Sequence, residues 1–92
     1  MIVLELMNEI MNTLVIIEQL LSEETTESFR ECDYQNLCLY NNLSFGIWIR
    51  EYLLPEESQL IALFRASGVS DIDEMSMIMM EWFYFYINSK VF

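Results

Sequence analysis

The residues of this chain that could do chemistry are of few kinds. Cys32 and Cys38 are its two cysteines, and it has no histidine. Their spacing matches neither a zinc-ligand pair nor a CxxC redox pair, and two thiols alone cannot complete a tetrahedral metal site. The expectation is two free thiols in a reducing compartment, with no metal and no cofactor. Carboxylates are abundant, and Glu23, Glu24, Glu27, Glu31 and Asp33 crowd into one interval. A carboxylate pair can act as general acid and base, but only where a cleft perturbs its pKa values and other groups converge on it. In so polar an interval the expectation is a solvated face. The calcium loop with its central Gly, the phosphate loop, the dinucleotide fingerprint and the Gly-x-Ser-x-Gly turn are all absent from the sequence. Catalytic residues are therefore expected to be none, and the chain reads as a non-enzyme.

Two further groups could bind. Arg50 is one of four basic residues and follows Trp48 and Ile49. It could hold an anion, but with so many carboxylates available it is expected to be paired structurally, its stem packed on aromatics. The second group is the run from Met75 to Tyr86, dense in Met, Trp, Phe and Tyr. Such residues form cores, and they are also enriched at interface centres. One helix cannot bury every side in a chain of this size, so Glu81, Trp82, Tyr84 and Tyr86 are candidate partner contacts.

These residues must be positioned by helices. With two Gly and one Pro in 92 residues, a turn-rich β fold is disfavoured. Val3, Met7, Ile10, Leu14, Ile17 and Leu21 recur at spacings of three and four, predicting a helix over 3–21. Leu6, Met11 and Leu20 widen its stripe beyond a strict coiled-coil seam. Val15 and Ile16 lie off the stripe, which hints at extra burial there, or at a partner contact if the isolated chain leaves them exposed. The interval 22–33 predicts a short helix with a Ser or Thr cap and Phe29 as its anchor. A long helix is expected over 37–54, kinked or broken near Gly46. Pro55 ends it or opens the next helix, with Glu56 and Glu57 at the positive end of that helix's dipole. Gly68 is expected as a left-handed C-cap. Asp71 and Glu74 have the form of a capping box for the last helix, which is apolar from Met77 to Ile87 except for Glu81. The fold class is all-α: one domain, 1–92, a small bundle of four to five helices with the C-terminal helix central.

Composition narrows the partners. Apolar residues make up 54% of the chain, which excludes intrinsic disorder. The net charge of −11 repels nucleic acid and anionic membranes and steers basic partners inward. The N-terminal apolar run lacks a positive region and carries Glu5 and Glu9, so it does not read as a signal peptide. No charge-free stretch is long enough to span a membrane. A cytoplasmic protein is expected.

Two stretches carry a resemblance. Asn42-Leu43-Ser44-Phe45-Gly46-Ile47-Trp48-Ile49-Arg50, and Gly68 through Asp73-Glu74-Met75-Ser76 into the last helix, resemble a family of small bacterial domains of unknown function. In that family a Gly-x-Trp-Ile-Arg core is followed later by Asp-Asp/Glu-Met-Ser. The likeness covers roughly residues 12–90 and implies an all-α domain with no assigned activity. It also implies that Gly46, Trp48, Arg50, Asp73, Met75 and Ser76 form a structural motif. Asn42 replaces the family's usual His, and Glu51 stands where Asn is usual, which lowers the enzyme reading further. Because the likeness starts near Met11, residues 1–10 read as a possible N-terminal extension, or Met11 as an alternative start. The expected function is a small acidic binding protein that inhibits a protein partner of basic character, as an immunity protein does. The alternative is a structural homo-oligomeric module, such as a homodimer paired through its apolar helices.

Overall fold

The computed structural model describes residues 2–36 and 44–89. Cys38, Asn42 and the first part of the helix expected over 37–54 lie outside the described residues. Among the described residues there are five α-helices and no strand. α1 spans Ile2–Leu20, α2 Glu23–Glu31, α3 Ser44–Tyr52, α4 Gln59–Ala66 and α5 Ile72–Ser89, with a 3₁₀ turn at Tyr34–Asn36. The aromatic run Trp82–Ile87, which has strand-like composition, is helical throughout.

α5 is the central element, packing against α1, α2 and α3, while α1 also packs on α4. Met75, Met79, Met80, Phe83 and Ile87 of α5 are each completely buried. They meet Ile10, Leu14 and Ile17 of α1, Ile49 of α3, and Leu60, Ile61 and Phe64 of α4 in one core. Phe29 brings α2 into it: its ring stacks on Phe83 at 5.8 Å and meets Phe45 edge-on at 5.0 Å. The short, polar α2 could not hold itself together alone, so this anchor is what docks it.

Local signals set the helix ends. The Ser22 side chain accepts a hydrogen bond from the Thr25 N–H and starts α2. At the start of α5, Asp71 accepts from the Asp73 N–H at 3.0 Å. At the end of α4 the Val69 N–H bonds the Phe64 carbonyl and the Gly68 N–H bonds that of Arg65. This is the Schellman pattern, and Gly68 supplies its positive φ of +98°.

Gly46 lies inside α3, two residues after its start at Ser44, in a turn whose neighbours Phe45, Trp48 and Ile49 pack on the core; residues 37–43 of the segment in which a kink or break is expected lie outside the described residues. Two expectations are corrected. Of the two readings of Pro55 the first holds, since α3 stops at Tyr52 just before it; it does not open the next helix, because α4 begins at Gln59, capped by Ser58, whose side chain accepts from the Ile61 N–H. Glu56 and Glu57 therefore precede α4 instead of lying in its first turn, and Glu56 instead forms a two-bonded pair with Arg65 at 2.9 and 3.2 Å. Val15 and Ile16 gain no extra burial, being 41% and 47% exposed. α1 is covered by α4 and α5 on one side only.

Candidate functional site

The two stretches singled out in the sequence meet where α3 crosses α5. Arg50 lies in the last turn of α3, where a cation suits the negative end of the helix dipole, and Asp73 lies in the first turn of α5, where an anion suits the positive end. The Arg50 guanidinium donates to the Ser76 hydroxyl at 3.0 Å and stands 3.6 Å from the Asp73 carboxylate. Ser76, fully buried, donates in turn to the Asp73 carbonyl at 2.9 Å. Beside this knot Met75 is in the core and Gly46 is buried. Trp48 is half-buried at the core rim, between Phe45 and Tyr52 at 6.1 and 5.7 Å, and Glu51 is exposed. An anion arriving at Arg50 would have to compete with Asp73.

Cys32 is half-buried and unpaired. Burial pushes its thiol pKa up, and the neighbouring Asp33 carboxylate adds to the rise. A thiol perturbed in that direction is a poor nucleophile at neutral pH. Its carbonyl accepts a hydrogen bond from the Tyr84 hydroxyl at 3.0 Å, so the candidate contact Tyr84 faces inward, against α2.

Four of the fifteen acidic residues share one cleft. An open cleft of about 770 Å³ between the end of α1 and α2 is lined by Glu18, Glu23, Glu24, Glu27 and Arg30, among others. Arg30 is ion-paired with Glu27 one turn before it. Among the described residues no three His, Cys, Asp or Glu side chains are grouped as metal ligands.

The opposite character appears where α1 runs beside α5. Leu4, Met7, Met11 and Val15 follow one another at spacings of three and four, so they share one flank of α1 beside the core stripe. They are 58%, 43%, 42% and 41% exposed. Met11 and Leu14 form a groove of about 430 Å³ with Trp82, Phe85, Tyr86 and Ser89 of α5. Phe85 is 57% exposed at its edge, and the Tyr86 hydroxyl donates to Glu18 at 3.1 Å.

The candidate contacts thus divide. Val15, Trp82 and Tyr86 belong to this apolar face. Ile16 lies on the other flank of α1, one turn before Leu20, and Glu81 is half-buried. Met7 and Met11, expected on the packed stripe of α1, are instead 43% and 42% exposed, and Leu4 and Phe85 are face residues that sequence reasoning did not assign. Their signal was the excess width of the α1 stripe, which held a second apolar series alongside the one that packs.

The chain belongs to the family described as a domain of unknown function, DUF6794, whose model matches residues 8–86. No curated protein and no solved structure matches it. Among the described residues no helix is long and apolar enough to cross a membrane.

Proposed function

We propose that this chain is a non-enzymatic protein-binding module of bacterial origin that inhibits or neutralises a basic protein partner. The observation that carries the reading is a carboxylate-lined cleft beside an exposed apolar face. Carboxylates crowd α2 and the end of α1, while an apolar face spans α1 and α5. A net charge of −11 draws a basic protein in by long-range steering, and exposed apolar patches of a few hundred Å² mark sites of contact. The lack of histidine and the spacing of the two cysteines in the sequence support the non-enzymatic part of the reading.

The test is capture on the immobilised chain at low salt, identification of what is held, and assay of that protein with the chain added back. The expected result is a basic protein, released by high salt, whose own activity falls as the chain is titrated in. A captured protein that high salt does not release, or whose activity the chain leaves unchanged, would overturn the proposal. A structural homo-oligomer is the second reading, favoured by the apolar side chains that α1 and α5 leave exposed.

A further inference from the structure

We infer that the α1/α5 groove takes an amphipathic helix of the partner, with its apolar side in the groove and its Lys or Arg residues over the carboxylates of the neighbouring cleft. The inference rests on the binding-module reading and says which kind of segment of a basic protein the chain holds, and where. Glu18 joins the two surfaces. It follows Leu4, Met7, Met11 and Val15 at the same spacing of three and four, so it ends the exposed apolar flank of α1. Its carboxylate accepts the hydrogen bond of Tyr86, a wall of the apolar groove. The same residue lines the cleft with Glu23, Glu24 and Glu27, which are all exposed. Arg30, the cation in that lining, is ion-paired with Glu27. The surface thus changes from apolar to anionic in one direction, over about 21 Å of α1 from Leu4 to Glu18. Its complement is a segment with one apolar face and cations toward one end, since charge across an interface is matched by opposite charge. Helical spacing on both walls selects the backbone. Met11 and Leu14 on one wall, and Trp82, Phe85, Tyr86 and Ser89 on the other, recur at three and four. Side chains at i, i+3 and i+4 of another helix fit between such ridges. Among the described residues there is no strand, so they offer an extended peptide no sheet edge to join.

The experiment is calorimetric titration of the purified chain with a synthetic peptide of about four helical turns, made of Leu and Lys with its leucines on one face. A scrambled peptide of the same composition is the control. The amphipathic peptide should bind about tenfold or more tightly than the scrambled one, and more weakly as salt rises. Met11→Lys and Phe85→Lys should each weaken its binding by about tenfold or more. Ile16→Lys and Leu20→Lys change the net charge equally at exposed apolar positions on the far side of α1, and should cost far less. Glu18→Gln keeps an acceptor for Tyr86 and should flatten the salt dependence. Circular dichroism of each variant establishes that it is folded. Equal binding of the scrambled peptide would reduce the contact to bulk charge and overturn the inference. So would Met11→Lys and Phe85→Lys chains that both bind like wild type, a Leu20→Lys chain as impaired as either, or a salt dependence that Glu18→Gln leaves unchanged. Sedimentation of the chain alone adds one more such outcome, a dimer that Phe85→Lys breaks, which would give the face to a second copy. A basic protein inhibited equally by wild type and by Phe85→Lys sinks this inference and leaves the function above standing. Peptide binding as expected, with no basic protein inhibited, does the reverse.

Discussion

Arg50 of α3 donates a 3.0 Å hydrogen bond to Ser76 of α5, and Ser76 donates to the Asp73 carbonyl at 2.9 Å. The two residues are 26 positions apart in sequence, and Ser76 is fully buried. A buried hydroxyl with donor and acceptor both used is low in cost, whereas leaving the charged partner short of an acceptor is expensive. Ser76→Ala should therefore cost about 1.5–3 kcal/mol, as expected for a hydrogen bond to a charged group. Arg50→Ala with Ser76→Ala should cost less than the two single changes added. Denaturant unfolding of the four proteins measures that coupling, and strict additivity would show the contact to be energetically idle.

Phe29 holds α2 to the bundle through rings on both α3 and α5. Phe29→Ala should cost about 3–5 kcal/mol, enough to unfold much of a small domain. Trp48→Ala should cost less, because Trp48 is half-buried at the core rim and retains solvent on one side. Thermal unfolding of both variants tests the order, and a larger loss at Trp48 would contradict it.

What the sequence made legible follows from how local each signal is. The α1 periodicity, the Ser22 cap, Phe29, the Gly68 turn and the central α5 all declare themselves within one or two turns of chain. The start of α4 did not. Pro55 followed by two glutamates looks like a helix opening, but Glu56 is held by Arg65 from the other end of α4, a contact that local pattern cannot see. Ser58, an ordinary cap three residues later, is the actual start. Arg50 was read as paired, but its partners on α5 are a tertiary fact. The apolar face was legible only as surplus: periodicity shows that α1 has too many apolar positions, and packing decides which of them are covered.

Gly68 has a φ of +98° and nothing within 4 Å of where a Cβ would sit. A side chain there meets no neighbour, so the cost of Gly68→Ala is conformational alone, about 1–2 kcal/mol. Gly68→Asn should cost less, since Asn tolerates the left-handed region. Equal losses for the two would point to a packing effect that the open space around Gly68 does not allow.

The Cys32 thiol supplies a test against pH. Burial and Asp33 raise its folded pKa above the 9.0 of an unperturbed thiol. The folded chain therefore holds the thiol proton at pH values where the unfolded chain has released it. With fewer protons bound in the unfolded state, stability falls as pH rises. The contribution is complete below about pH 9 and is lost as pH climbs through the raised folded value. In a Cys38→Ser background, where Cys32 is the sole thiol, its alkylation should be slower than that of a free thiol at every pH from about 7 to about 9. Replacing Asp33 with Asn removes the smaller cause, so Asp33→Asn should speed the alkylation slightly. Unfolding the chain in denaturant should speed it far more, because burial is the larger cause. Alkylation as fast in the folded chain as in the unfolded one would show the thiol to be open to solvent.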